Sequence, residues 1–303
     1  MLPETTDNAH CPLCSGANLV TKYVLPNPTY KTVQCKACGF AFMNPYPSDA
    51  FLDAHYAASN LYGFDGEHAE YYDRAVIDRR DLIESLLNRY AGKRKRGRAV
   101  DFGAGIGIAV AALNGLGFEA IGLDKNPRAS AVGRRLFDVD IIDCEIGEVR
   151  DGIDLLTMFD VLEHIKYPAR FLAGIRASLA EGACFIGVVP NYYALGRYLH
   201  GAHSATISFP QHVSYFSRRT LEHTLDAGGF DTLYIGFPAP YGVSLTFGWR
   251  KSLLRRFGRN APVRHLVPAI TFAKRHIAYP LLNLFVEKTG LLGHSLVFIA
   301  RSR

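Results

Sequence analysis

Between Arg98 and Val189 five short apolar runs alternate with segments of helical pattern, and this alternation constrains the chain more than any other feature of its 303 residues. The runs are RAVDF (98–102), EAIGLD (119–124), DVDII (138–142), IDLLTMF (153–159) and ACFIGVV (183–189). Strand and helix taking turns predicts an α/β fold built on a doubly wound, parallel sheet. In such sheets ligands bind outside the carboxyl ends of the strands, so the residues just after each run are the candidates for chemistry. With 49% hydrophobic and 20% charged residues the composition excludes a disordered chain.

The first run leads into Asp101-Phe-Gly-Ala-Gly-Ile-Gly107. Glycines at this spacing let backbone approach a ligand closely. A dinucleotide fingerprint G-x-G-x-x-G/A fits poorly, because Ile108 or Val110 stands where its last small residue is needed. About twenty residues beyond the turn comes Asp124, placed to accept hydrogen bonds from both hydroxyls of a ribose. The form D-x-G-x-G-x-G is the one used for a sulfonium cofactor that has no pyrophosphate.

These motifs make the chain from about Arg98 onward resemble the class I S-adenosylmethionine-dependent methyltransferases. VDFGAGIG is similar to the family's first motif, GLDKNP to the segment with its ribose-binding acid, and FDVLEHIKYP to the segment after the fourth strand. QHVSYFSRRTLEHTLDAGGF is similar to the stretch before the sixth. The resemblance implies a Rossmann-like, seven-stranded, mostly parallel sheet whose last strand, HSLVFIA (294–300), runs antiparallel beside TLYIGF (232–237). It implies S-adenosylmethionine as cofactor, with Asp101, Gly103, Gly105 and Gly107 around its methionine part. Asp124 then holds the ribose, Asp143 lies near the adenine amino group, and Phe159 lines the pocket.

Upstream, Cys11-Pro-Leu-Cys14 and Cys35-Lys-Ala-Cys38 are two C-x2-C knuckles, the pattern of a zinc ribbon. Each knuckle offers two thiolates, and the four together close a tetrahedral structural Zn2+ site with no open position. Two disulfides are the alternative, which would need an oxidising compartment. Asn44-Pro-Tyr-Pro-Ser48 follows as a linker-like stretch, and His55–Tyr90 reads as helix. The chain therefore divides into a ribbon-like segment (1–48), a helical cap or linker (49–97) and the methyltransferase-like domain (98–303).

Such a ribbon ahead of this fold resembles a subgroup acting on sugars, glycans and other metabolites, and also occurs ahead of some ribosomal RNA methyltransferases. Phe159-Asp-Val-Leu-Glu-His164 lacks the Asn/Asp-Pro-Pro-Tyr/Phe motif of base N-methylation, so nucleic acid is the weaker partner. The expectation is O-methylation of a glycan, a lipid-linked sugar or a related small molecule. The alternatives are RNA methylation and a non-catalytic cofactor-binding module. A hydroxyl acceptor must lose its proton, and the candidate catalytic bases are His212, in the loop Phe209-Pro-Gln-His-Val213, and His164, just after the fourth strand. A structural role stays open for each: helix orientation for His164, backbone hydrogen bonding for His212.

Charge is unevenly spread. Residues 241–303 hold 11 Lys and Arg against Glu287 alone, whereas the preceding 240 residues hold 23 against 27. The basic stretch belongs to a helical insert at about 245–290, and its residues 250–288 mix cations with Leu, Phe and Ile. That mixture suits contact with an anionic membrane surface, a lid, or a dimer contact. The opening MLPETTDNAH does not read as a secretory signal, and no apolar run reaches the ~18 residues of a membrane span. A cytoplasmic protein, peripheral at the inner face of the membrane if the insert meets lipid, is expected.

Overall fold

The computed structural model describes residues 5–58, 69–92, 96–144, 146–149, 152–237 and 293–303. The insert at about 245–290, with its membrane-contact stretch 250–288, lies outside the described residues. The chain opens with β1 (Thr5–Thr6), β2 (Leu19–Val24), β3 (Lys31–Cys35), β4 (Ala41–Asn44), β5 (Tyr46–Pro47), α1 (Asp49–Ala58) and α2 (Ala69–Leu86). Next come β6 (Arg98–Phe102), α3 (Ile108–Gly115), β7 (Glu119–Leu123), α4 (Pro127–Phe137), β8 (Ile141–Ile142), β9 (Ile153–Phe159) and α5 (Pro168–Ile175). The described chain finishes with β10 (Leu179–Pro190), α6 (Leu195–His200), β11 (Ser214–Tyr215), α7 (Arg218–Ala227), β12 (Phe230–Gly236) and β13 (Ser295–Ser302).

Seven strands form one sheet in the order β12-β13-β10-β9-β6-β7-β8. Strands β10, β9, β6, β7 and β8 run parallel, and β13 is antiparallel to both its neighbours, as expected for the last strand. The order reverses at β6, which has β7 on one side and β9 on the other, so a crevice opens at the carboxyl ends of β6 and β9. Alternation along the strands assigns the two faces. Leu156, Phe185 and Phe298 point to one core, while Leu155, Ile186 and Val297 point to another that they share with Ile83 and Leu86 of α2 and Leu113 of α3.

Two expected elements differ in extent. The strand expected at 138–142 shrinks to Ile141–Ile142, because Asp138 turns into the left-handed region (φ 52°) to end α4. The helical reading of His55–Tyr90 is met by two helices, α1 starting already at Asp49, and by a π-helical turn at Leu87–Ala91 that ends the second.

The cysteine-bearing segment is stitched into this body. Its sheet has the order β11-β4-β3-β2, so its fourth strand comes from far along the chain, with Ser214 paired to Phe42 and Tyr215 to Ala41. Phe40, Phe42, Met43 and Tyr46 are fully buried in the same core as Leu156 and Phe185. The Tyr46 hydroxyl donates to the carbonyl of Lys166 at 2.5 Å. Burying each such aromatic contributes roughly 1.5–3 kcal/mol, which ties the segment firmly to the sheet.

Candidate active site

The glycine turn leaves β6 at the mouth of the crevice. Gly103, Gly105 and Gly107 have φ of +74°, +53° and +80°, a region that costs an L-residue roughly 1–2 kcal/mol. A Cβ on Gly103 would also come within 2.5 Å of the Val161 side chain. Asp124, just past β7, braces the turn: the amide of Gly105 donates to its Oδ2 at 2.7 Å and that of Asn126 to its Oδ1 at 2.8 Å. Asp101 is buried at the end of β6 and accepts from the Thr157 hydroxyl at 2.6 Å. Burial pushes its pKa up to about 7, against the opposing pull of that hydrogen bond and of Arg79.

Neighbouring strand ends complete this edge. Asp143 is exposed one residue beyond β8, where Ile142 accepts from the Asp124 amide at 3.1 Å. Phe159 ends β9 half-buried, with the guanidinium carbon of Arg79 from α2 3.5 Å from its ring centroid. Asp101, the three glycines, Asp124, Asp143 and Phe159 thus gather along one edge of the sheet.

Immediately after Phe159 the chain passes through Asp160, a non-glycine residue at φ 57°, and into a 3-10 turn at Leu162–His164. That turn aims Glu163 inward. Glu163 is 1% exposed, and neither carboxylate oxygen has a hydrogen-bond partner among the described residues. Burial, reinforced by nearby Asp160, holds its carboxyl well above the usual carboxylate range. The Nε2 of His212 stands 4.0 Å from Glu163 Oε1, and the rings of His164 and His212 meet edge to face with centroids 5.0 Å apart.

Both imidazoles are oriented by backbone. His164 Nδ1 lies 2.9 Å from the carbonyl of Gln211 and 3.0 Å from the Tyr56 hydroxyl, and His212 Nδ1 lies 3.0 Å from the carbonyl of Thr206. A carbonyl can only accept, so each Nδ1 carries the hydrogen; this leaves His212 a lone pair on Nε2, whereas the His164 ring also hydrogen-bonds the backbone of Asp160. Burial lowers the pKa of His164, and burial together with His164 lowers that of His212 to about 4. Both rings are therefore neutral near pH 7.

The loop carrying His212 is held from the ribbon side. Val213 donates to the Glu163 carbonyl at 2.8 Å, and Met43 of β4 donates to the Val213 carbonyl at 2.8 Å. At the other end of the ribbon the sulfurs of Cys11, Cys14, Cys35 and Cys38 converge, all within 4.8 Å of one another. The pairs Cys11–Cys38 and Cys14–Cys35 stand 3.7 and 3.6 Å apart. A tetrahedron with Zn–S bonds of about 2.3 Å puts its sulfurs about 3.8 Å apart, so the four positions fit a zinc ion.

Comparison with known proteins settles the family. A family model described as a methyltransferase domain matches residues 71–235, more than half of the chain. The chain belongs to this methyltransferase family. The methyltransferase has the class I S-adenosylmethionine-dependent fold, and solved structures are similar to it along most of its length. The plantazolicin methyltransferase BamL, solved with a triazolic desmethylPZN analog and SAH, is 15% identical at a TM-score of 0.50, covering 82% of this chain and 92% of its own. The magnesium protoporphyrin IX methyltransferase ChlM from Synechocystis PCC 6803, solved with SAH, is 10% identical at a TM-score of 0.50, covering 84% and 100%. A methyltransferase in complex with the Trm112 activator from Haloferax volcanii is 14% identical at a TM-score of 0.49, covering 78% and 96%. No curated protein matches the chain.

Two side chains of the methyltransferase escape a reading by motif. Arg79 sits inside an amphipathic helical stretch, where its approach to Phe159 depends on how α2 docks. Glu163 reads as one acid within FDVLEH, and the sole hint in the sequence is its place between two candidate residues, after the fourth strand of the alternation.

Proposed function

We propose that this methyltransferase transfers a methyl group from S-adenosylmethionine to a hydroxyl acceptor received at Glu163, His164 and His212. The observation that carries the reading is two neutral imidazoles, 5.0 Å apart, at the β9 end of the crevice whose other wall is the glycine turn. Bound at the turn, the cofactor supplies an electrophilic methyl group on a sulfonium. Gly103, Gly105 and Gly107 admit its methionine part beside Asp101, and Asp124 accepts from the ribose hydroxyls. Asp143 faces the adenine amino group, Phe159 lines the pocket, and Arg79 offers a cation to the carboxylate. The lone pair on His212 Nε2 is placed to take the acceptor's proton, while His164 orients the hydroxyl.

The acceptor we propose is a glycan, a lipid-linked sugar or a related metabolite. A groove of about 580 Å³ begins at His164 and is lined by Lys166, Tyr167, Arg170 and Phe171. Lys166 is paired with Asp49 of the same groove at 2.6 Å, which leaves aromatic faces beside Arg170 to suit a sugar ring with an anionic linker. In the same reading the four cysteines hold a structural Zn2+, and the segments 1–48, 49–97 and 98–303 keep their separate roles. Residues 250–288 are the surface we assign to an anionic membrane at the cytoplasmic face. No helix among the described residues is long and apolar enough to cross a membrane.

Asp101 makes the cofactor site pH-dependent in a stated direction. Its carboxyl stands at about 7 in the free protein, and an α-ammonium placed against it favours the ionised form. Its pKa is then raised when free and lower when bound, so binding expels a proton below pH 7. Affinity for S-adenosylhomocysteine (SAH) should rise up to about tenfold per pH unit toward pH 7 and level off above it. Calorimetry in two buffers of different ionisation enthalpy reads that proton directly. Constant affinity from about pH 5.5 to 7 would remove Asp101 from this role.

The acceptor class is tested with methyl-labelled S-adenosylmethionine added to an extract of the producing cell, partitioned into organic, RNA, protein and small-molecule fractions. The Asp124→Ala protein serves as control. Label in the organic or glycan fraction is expected. Label in RNA would overturn the acceptor class, and cofactor binding with no transfer to any fraction would make the chain a binding module.

A further inference from the structure

We infer that Glu163, His164 and His212 form a binding site for a divalent transition cation, separate from the four-cysteine centre and set at the acceptor end of the crevice. One ligand atom from each of the three lies within 4.8 Å of the others. Two imidazole nitrogens and one carboxylate are the donor set that holds Fe2+- or Mn2+-class ions on one face and leaves the opposite positions open. Metal–ligand bonds of about 2.1 Å place neighbouring ligands about 3 Å apart, so the His212–Glu163 pair at 4.0 Å must close by about 1 Å and the widest pair by up to about 1.8 Å.

Three further observations point to a ligand here. Glu163 is buried to 1% exposure, is aimed at His212 across 4.0 Å, and lacks a hydrogen-bond partner on either oxygen among the described residues. A carboxylate in that position is costly unless something charged or hydrogen-bonding reaches it. Both histidines have Nδ1 committed to backbone carbonyls, at 2.9 and 3.0 Å, the outer-shell bond that orients a metal-ligating imidazole; this leaves Nε2 of His212 free, whereas the His164 ring would have to give up its bond to the Asp160 backbone to ligate through Nε2. Finally, both histidines keep partial exposure, 13% for the His212 side chain, and His164 lines the groove assigned to the acceptor.

The inference deepens the proposed hydroxyl chemistry and rests on that reading for its purpose. A cation in this position would take the acceptor oxygen as a further ligand and lower the pKa of its hydroxyl. The O–H bond then breaks with its proton passing to water, and the oxygen lone pair forms the new C–O bond as the methyl carbon leaves sulfur. His212 would serve as ligand in place of receiving the proton.

Mn2+ is the probe, because thiolates select zinc whereas a nitrogen and carboxylate set accepts Mn2+. The full chain, with its cysteine centre loaded with zinc, is titrated with Mn2+ by calorimetry. One Mn2+ per chain is expected, and pulsed EPR of the bound ion should show coupling to imidazole nitrogen. Glu163→Gln and His212→Asn should weaken binding by more than the roughly 10–100-fold that losing a supporting partner costs. Tyr56→Phe removes one contact to His164 Nδ1 and should weaken it about tenfold. SAH affinity, measured on every variant, reports that the fold is intact. No Mn2+ binding, or bound Mn2+ without nitrogen coupling, overturns the inference whatever the variants do. Loss of SAH binding in a wild-type chain that still binds Mn2+ would instead overturn the cofactor reading and leave the cation site standing.

Discussion

Replacing Asp124 with alanine is expected to weaken SAH binding by at least about 100-fold, because hydrogen bonds to a charged acceptor are worth roughly 1.5–3 kcal/mol each and the two we propose to the ribose would be lost together. The damage extends to the protein itself. Asp124 accepts from the amides of Gly105 and Asn126 at 2.7 and 2.8 Å, one on the glycine turn and one at the start of α4. Without the carboxylate those donors lose their partner and the turn its brace, at a cost of about 1–3 kcal/mol in stability. Asp124→Asn keeps one accepting oxygen and should fall between wild type and alanine. Calorimetry with SAH checks the series, and an alanine variant that binds as tightly as wild type would remove the cofactor site from this edge of the sheet.

Stripping metal from the cysteine centre should abolish methyl transfer while sparing most of the affinity for SAH. Four cysteine sulfurs gathered within 4.8 Å of one another are held in register by a shared cation, and a structural zinc stabilises the segment that carries it. The consequence reaches the chemistry through β4. Met43 holds the Val213 carbonyl and Val213 holds the Glu163 carbonyl, each at 2.8 Å, so the loop presenting His212 loses its clamp when the ribbon loosens. The glycine turn and Asp124 hang on β6 and β7, which make no sheet pairing with the ribbon. A Cys11→Ser/Cys38→Ser double variant, which leaves Glu163, His164 and His212 in place, should therefore lose activity and still bind SAH. Full activity in protein shown by elemental analysis to be metal-free would show that the ribbon stands without an ion.

These two results separate the halves of the site, and the same division governs what could be read from residue order. The cofactor edge is legible because its parts are local. Asp101 and the three glycines lie within seven consecutive residues, and Asp124 directly follows the next strand. Their strands β6 and β7 are neighbours in the sheet as well as in the chain. The acceptor end is less legible. His164 and His212 were each recognisable as following a strand, yet their contact spans 48 positions, and Glu163 becomes notable only once burial leaves its carboxylate facing an imidazole.

The chain's own pattern of apolar runs, turn glycines and C-x2-C knuckles determines the parallel α/β sheet, the position of the glycine turn and the pairing of two knuckles at one centre. Those features depend on side-chain period and on backbone conformations that a few adjacent residues impose. Only the tertiary structure decides that Ser214–Tyr215 becomes the fourth strand of the ribbon, that Arg79 stacks on Phe159, and that Glu163, His164 and His212 come within 4.8 Å of one another. Each of these is a contact between segments far apart in the chain, set by which faces the elements bury against one another, and no local periodicity encodes that choice.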